Sequence, residues 1–122
     1  MLNKLKNIEL YSYQKCSTCI KASKWLDQKN IKYKIIDIVK NPPSKRLLEL
    51  ALIQFSSDRK KIFNTRGKSF KLINYDIKDL SNEKIIQLLA NDGKLIKRPF
   101  LVIEDSRFIL GFNETEYANY FK

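Results

Sequence analysis

Two cysteines, Cys16 and Cys19, are the only thiols in the chain. They follow an apolar run at residues 8–13 and precede an amphipathic segment at residues 22–28, so the pair is predicted to lie where a loop enters a helix. The first turn of a helix presents free backbone N–H groups and a partial positive charge, which stabilise a thiolate over a thiol. We therefore expect Cys16 to be a reactive nucleophile.

Cys19 lies one helical turn after Cys16, on the same face of the predicted helix. A thiol in that place can attack a mixed disulfide formed at Cys16 and leave a Cys16–Cys19 disulfide behind. Lys15 and Lys21 flank the pair and add positive charge that favours the thiolate. Because the chain contains no histidine, the thiolate would depend on electrostatics rather than on an imidazole base.

Two other interpretations of the cysteine pair remain open. A C-x-x-C pair can bind zinc, but zinc ordinarily takes four ligands, and the chain has no histidine and no second cysteine pair. A metal site would therefore need carboxylates or a partner chain, and we expect none. Alternatively, Cys19 is a small core residue and Cys16 an incidental surface residue. The predicted strand before the pair and helix after it favour redox chemistry.

Length and composition are typical of one folded domain. With 122 residues, of which 43% are hydrophobic, the chain can bury a core without disulfide bonds. It has no apolar run of the roughly 20 residues that span a bilayer, and its N-terminus lacks the apolar core of a signal peptide. We therefore expect a single domain over residues 1–122, located in the cytoplasm and without a membrane partner. In the cytoplasm, close cysteines more often do chemistry than hold a fold together.

The net charge of the chain is +11, from 24 basic and 13 acidic residues. Such an excess attracts anions, which include oxyanions, nucleic acids and acidic protein surfaces. The basic residues are spread along the chain, with one denser cluster at residues 59–61, and no known nucleic-acid-binding motif accompanies them. We therefore do not expect direct binding to DNA or RNA.

A β-α-β unit opens the chain and a helical insert follows it. Residues 31–38 alternate as a half-buried strand does, and the strand is expected to run parallel to the first one. Residues from about 40 to 95 are predicted to be a mostly helical insert, in which Ser44 caps the first helix and Gly93 adopts the left-handed end of the last. Because the insert lacks a linker composition, we expect it to pack on the sheet.

The last third of the chain is predicted to be a β-hairpin, at residues 98–103 and 107–110, followed by a helix that begins at Asn113. The order β-α-β, helical insert, β-β-α is that of the thioredoxin fold, an α/β fold with a four-stranded mixed sheet. In that fold the start of the third strand holds a cis-proline that faces the cysteines. We therefore predict a cis peptide bond before Pro99.

The chain resembles the arsenate reductase family of thioredoxin-like proteins, including its Spx-like members, which are thiol-based transcriptional regulators. Five segments carry the resemblance and run across nearly the whole chain: YQKCSTC at 13–19, NPPS at 41–44, TRG at 65–67, KRP at 97–99 and GFNE at 111–114. The resemblance implies that Cys16 is the nucleophile. It also implies that no cofactor is bound and that glutathione with glutaredoxin, or thioredoxin, is the external reductant.

Arg66 and Arg98 match two arginines that hold the oxyanion near the thiolate in true arsenate reductases. Planar guanidinium groups suit this role because they bind the oxygens of a tetrahedral anion in pairs. From the residues alone, Arg66 would be a turn residue in a general ion pair and Arg98 a surface residue at a strand end. The resemblance favours anion binding for both.

The chain departs from glutathione-coupled arsenate reductases in two places. Their serine–arginine pair is replaced by Cys19 and Ile20, and their third anion-holding arginine falls near Gly111. The dithiol is more like that of the Spx-like branch, in which an arginine usually follows the second cysteine. We predict a thiol-dependent oxidoreductase with Cys16 as nucleophile and Cys19 as resolving thiol. The alternative is a redox-sensing transcriptional regulator that binds RNA polymerase.

Overall fold

A four-stranded mixed sheet carries the fold in the computed structural model, which describes residues 6–122. The strands stand in the order β2-β1-β3-β4. β1 is parallel to β2 and antiparallel to β3, and β3 is antiparallel to β4. The predicted α/β fold with a four-stranded mixed sheet is therefore confirmed. The strands are β1 (Ile8–Ser12), β2 (Lys34–Asp37), β3 (Phe100–Ile103) and β4 (Arg107–Leu110).

Helices lie on both sides of the sheet. The α-helices of the described residues are α1 (Ser17–Gln28), α2 (Lys45–Gln54), α3 (Lys68–Lys71), α4 (Asn82–Asn91) and α5 (Glu114–Tyr120). The 3₁₀-helices of the same part of the chain are Arg59–Ile62, Ile77–Asp79 and Gly93–Leu95. The segment between β2 and β3 contains α2, α3, α4 and these 3₁₀-helices, so it is mostly helical, as predicted. Within residues 6–122, no helix is long and apolar enough to cross a membrane.

The side chains of β3 divide the interior into two cores. Phe100 and Val102 pack against the helices of the insert, whereas Leu101 and Ile103 pack against α1 and α5. Successive residues of a strand point to opposite faces, so a strand that is apolar at every position must be covered on both sides. All four residues of β3 are indeed buried. The predicted packing of the insert on the sheet is therefore confirmed.

The free edge of the sheet at β4 is closed by one side chain of α2. The Gln54 side-chain amide donates to the Phe108 carbonyl oxygen at 2.7 Å, and the Phe108 backbone N–H donates to the Gln54 amide oxygen at 2.9 Å. The amide thus takes the place of a neighbouring strand at this position. It also blocks edge-to-edge pairing with another chain.

The predicted helix starts are confirmed by hydrogen bonds to the capping side chains. The Ser44 hydroxyl accepts from the Leu47 backbone N–H at 3.2 Å, and the Asn113 side-chain oxygen accepts from the Glu116 backbone N–H at 3.0 Å. Both satisfy N–H groups that the first helical turn leaves free. The local sequence therefore determines where α2 and α5 begin.

The prediction that Gly93 forms a left-handed helix end is wrong. α4 ends at Asn91, and among the described glycines the one with positive φ is Gly111, at +75°. Gly93 instead begins a 3₁₀-helix and passes directly beside the backbone after β2, where a Cβ atom would overlap the carbonyl oxygen of Ile38. Glycine is required here by close approach of two backbones rather than by backbone conformation.

Gly93→Ala is expected to lower the free energy of unfolding by about 1–3 kcal/mol, because the added methyl group must displace backbone atoms of Ile38. Urea denaturation would show this as a lower midpoint at an unchanged slope. The matched control is Gly67→Ala, where the new Cβ would lie 2.8 Å from the side-chain nitrogen of Asn64, a group that can rotate away. Equal losses in the two variants would contradict the explanation.

Candidate functional site

β1 delivers Cys16 to the first turn of α1. A turn follows the strand, closed by a hydrogen bond from the Cys16 backbone N–H to the Tyr13 carbonyl oxygen at 2.9 Å. Cys16 is the N-cap of α1, with extended backbone angles, and its sulfur accepts from the Cys19 backbone N–H at 3.3 Å. The sulfur therefore already accepts a hydrogen bond from one of the free N–H groups of the helix, and this contact stabilises negative charge there.

The two thiols have different environments. Cys16 is half-buried and reaches the surface, whereas Cys19 is completely buried. Burial first, and then a hydrogen bond with the Cys16 side chain, raise the pKa of the Cys19 thiol to about 12. The Tyr13 backbone N–H and the Ser12 hydroxyl act in the opposite direction and lower this pKa. At neutral pH Cys19 is consequently a protonated thiol, shielded from solvent and in contact with the Cys16 side chain.

Cys16 opens into a cavity of about 440 Å³. Three cationic residues line it, namely Arg66, Lys97 and Arg98. Among the residues that the structure describes, no aspartate or glutamate lines this cavity. The remaining lining residues are Ser17, Thr18, Asn64, Thr65, Gly111 and Phe112. The structure thus brings the predicted nucleophile and both predicted anion-binding arginines to one place, while Cys19 lies behind them in the core.

Arg98 has one guanidinium nitrogen without a hydrogen-bond partner among the described residues. Its guanidinium carbon lies 5.0 Å from the centre of the Tyr13 ring, a cation–π contact that orients the side chain. Its Nη1 atom is buried and has no hydrogen-bond partner among residues 6–122. An unpaired buried donor is unfavourable because it has lost water without replacing it. Arg98 also lines the Cys16 cavity, so an anion bound there would lie near its guanidinium group.

Arg66 is held beside Arg98 by hydrogen bonds between two backbone segments. The Lys97 backbone N–H donates to the Ile62 carbonyl oxygen at 2.8 Å, and the Asn64 backbone N–H donates to the Leu95 carbonyl oxygen at 2.7 Å. These bonds tie the loop that carries Arg66 to the segment that leads into β3. The positions of the two arginines are therefore coupled although they are far apart in sequence.

Pro99 follows the arginine at the start of β3. The Arg98–Pro99 peptide bond is cis, which confirms the prediction made from the fold pattern. The Pro99 carbonyl oxygen accepts from the Gly111 backbone N–H at 2.9 Å, so the segment before β3 is joined to the one after β4. Both residues are buried. Of the two, Gly111 lines the cavity, next to Arg98 and Lys97.

Sequence reasoning missed two residues of this site. Tyr13 was recognised only as part of a motif, and its contact with Arg98 joins segments that no local pattern relates. Lys97 likewise appears in the sequence only as part of the KRP motif; neighbours in an extended segment ordinarily point to opposite sides, yet both Lys97 and Arg98 line the cavity. In the described part of the chain, no three His, Cys, Asp or Glu side chains cluster closely enough to hold a metal ion.

Comparisons with known proteins agree with the resemblance noted from the motifs. A model of the ArsC family matches residues 11–120, which include both cysteines and both arginines. The uncharacterized protein YusI of Bacillus subtilis is 37% identical over 113 residues, covering 91% of this chain and 95% of YusI. The global transcriptional regulator Spx of Lactiplantibacillus plantarum is 30% identical over 111 residues, covering 91% of this chain and 83% of Spx. The crystal structure of a possible arsenate reductase from Streptococcus mutans UA159 matches with a TM-score of 0.85 and 37% identity, covering 93% of this chain and 98% of that one.

Stability at alkaline pH tests the burial of Cys19. The folded chain keeps this proton up to about pH 12, whereas the unfolded chain loses it near 9.0, so the folded state binds more protons in between and stability falls as the pH rises. In Cys19→Ala the free energy of unfolding is expected to fall less steeply with pH, by up to about 1.4 kcal/mol per pH unit. Urea denaturation of the reduced protein between about pH 8 and 10.5 would measure it.

The control for this measurement is Cys16→Ala, which leaves the buried thiol in place and should retain most of the slope. An alkaline decline that is equally steep in wild type and Cys19→Ala would contradict the assignment.

Proposed function

Because this chain belongs to the ArsC family, we propose that it is a thiol-dependent oxidoreductase with Cys16 as nucleophile and Cys19 as resolving thiol. One observation carries the proposal: Cys16 lines the same cavity as Arg98, whose Nη1 is buried without a hydrogen-bond partner among residues 6–122. A nucleophilic sulfur beside an unsatisfied anion-binding group suits a substrate that bears negative oxygen atoms near its reacting centre. The proposed substrate is therefore an oxyanion of the arsenate type, or another oxidised group with anionic oxygens.

In the proposed first step the Cys16 thiolate attacks the central atom of the oxyanion. A sulfur–substrate bond forms, and one oxygen leaves as water after it has taken up protons. Arg66 and Arg98 would hold the other oxygens, and their charge would stabilise the negative charge of the covalent adduct. The position of the sulfur at the N-cap of α1 supports this step, because the helix terminus favours an anionic nucleophile.

In the second step Cys19 gives up its proton and attacks the Cys16 sulfur. The sulfur–substrate bond breaks with its electron pair remaining on the substrate, which is thereby reduced by two electrons, and a Cys16–Cys19 disulfide forms. The hydrogen bond between the two side chains supports this step, since the attacking sulfur is already beside its target. An external thiol, glutathione with glutaredoxin or thioredoxin, would return two electrons and restore the dithiol, with no bound cofactor.

A coupled assay of NADPH consumption tests this function. The protein would receive arsenate together with glutathione, glutaredoxin and glutathione reductase, or with thioredoxin and its reductase. We expect arsenate-dependent turnover that Cys16→Ser abolishes and that Arg98→Gln lowers by about 10²-fold in kcat/KM, because a donor to the reacting anion is lost. Arg107→Gln, at an exposed arginine of β4 outside the cavity, is the matched control and should leave turnover unchanged. Wild-type turnover in Cys16→Ser would exclude the mechanism.

A second candidate function is redox-sensing regulation of transcription through RNA polymerase. It is favoured by the similarity to Spx of L. plantarum, which extends over 91% of this chain. Oxidation would act on the same atoms, because a Cys16–Cys19 disulfide changes the sulfur that now accepts from the first turn of α1. Ile20, 44% exposed beside the dithiol, would lie in the surface that such a change alters.

Capture of purified bacterial RNA polymerase by the tagged protein tests the second candidate. A regulator of this kind should bind the polymerase differently after reduction with dithiothreitol and after oxidation with diamide. The variant in which both Cys16 and Cys19 are replaced by alanine should bind equally under both conditions. Binding that is absent or indifferent to oxidation in the wild-type protein would exclude this candidate, and arsenate turnover would still be decided by the coupled assay.

A further inference from the structure

Lys97 extends its side chain over the bare backbone of Gly111, where it lines both the Cys16 cavity and a neighbouring cavity whose lining includes Asp58 and Glu116. A Cβ atom placed on Gly111 would lie 3.1 Å from Cε of Lys97 and 3.9 Å from its Nζ. Lys97 and Gly111 both line the cavity into which Cys16 opens. The charged end of this lysine therefore occupies the space that a side chain at position 111 would otherwise fill.

Backbone hydrogen bonds fix both partners of this contact. The Lys97 backbone N–H donates to the Ile62 carbonyl oxygen at 2.8 Å, and the Gly111 backbone N–H donates to the Pro99 carbonyl oxygen at 2.9 Å. Gly111 has a φ of +75°, a conformation that residues with a Cβ rarely adopt. Two features of the fold, the bend after β4 and the missing side chain, thus leave room for the lysine.

Three cationic residues from two segments of the chain consequently line the cavity. Arg66 comes from the loop before α3, Lys97 and Arg98 come from the segment before β3, and the Nη1 atom of Arg98 is buried without a partner within residues 6–122. No carboxylate of the described residues lines the cavity to neutralise these groups. Like charges confined around one cavity repel one another, and a multiply charged anion relieves that repulsion more than a singly charged one does.

We propose that Lys97 is a specificity-determining residue that makes the Cys16 cavity selective for doubly charged tetrahedral oxyanions. Its ammonium group supplies the third positive charge, as a point charge beside the two planar guanidinium groups. This inference rests on the proposed function only in placing the anion next to the reacting sulfur. It concerns binding, so it can be tested without turnover.

Protection of Cys16 from alkylation provides the test. Iodoacetamide is uncharged, so its own approach does not depend on the lysine, and an anion bound in the cavity should slow its reaction with Cys16. Sulfate and perchlorate are matched probes, because both are tetrahedral and unreactive towards thiols but carry two charges and one charge respectively. The concentration of each anion that halves the rate gives its apparent affinity, by mass spectrometry of the alkylated peptide.

We expect sulfate to protect wild-type protein better than perchlorate does. Lys97→Gln should raise the protecting concentration of sulfate about tenfold, the lower end of what a hydrogen bond to a charged group contributes, and that of perchlorate less than threefold. Lys97→Arg, which keeps the charge, should restore protection by sulfate. Lys94→Gln is the matched control, since Lys94 is an exposed lysine outside the cavity and its replacement should change neither value.

Three results would overturn the inference. In the first, sulfate gives the wild type no protection. In the second, Lys97→Gln weakens protection by sulfate and by perchlorate equally. In the third, the protecting concentrations in Lys97→Gln equal those in Lys94→Gln. The failure of the proposed function has a different signature. If arsenate turnover is absent but sulfate protects in the expected pattern, the cavity is a dianion site without reductase activity. If turnover is present and sulfate protects Cys16 equally well in Lys97→Gln and in the wild type, the proposed enzyme activity holds but the proposed role of Lys97 is wrong.

Discussion

The hydrogen bond from the Cys19 backbone N–H to the Cys16 sulfur is the contact on which the site depends. It makes the sulfur the cap of α1, so the reactive atom and the positive end of the helix occupy one place. It also sets the direction of the helix, which turns Cys19 into the core beneath the sulfur that it can attack. One local interaction thus gives the two thiols different exposure, with Cys16 half-buried at the surface and Cys19 completely buried.

Around this contact the chain assembles a binding cavity from segments that are distant in sequence. Backbone hydrogen bonds join the loop after Ile62 to the segment before β3, and Pro99 to Gly111. The helical insert therefore contributes to the site by holding a loop rather than by forming a separate one. Rigid backbone links of this kind fix cationic side chains beside the thiol before any ligand arrives, which lowers the ordering needed on binding.

The parts of the fold that could be predicted from sequence are those determined by near neighbours. The strand–thiol–helix start, the caps at Ser44 and Asn113, and the sheet follow from patterns within a few residues. β2 shows the limit, because Ile31 and Ile38 fit its alternation but lie outside the strand, each packed in a core on one face of the sheet. Gly93 was misread for a similar reason, since a long-range backbone contact requires it.

The candidate site also has some features that could be predicted from the sequence and others that only the structure shows. Cys16 and Cys19 could be predicted from spacing, and Arg66 and Arg98 from a family resemblance, but nothing in the sequence indicates that a nitrogen of Arg98 is buried without a partner among residues 6–122. The position of Lys97 above Gly111 is likewise visible only when the two segments are side by side. A redox sensor that signals through α1 needs only the dithiol. Clustered cations repel one another, and no carboxylate of the described residues lines their cavity, so a bound anion would relieve that repulsion next to Cys16.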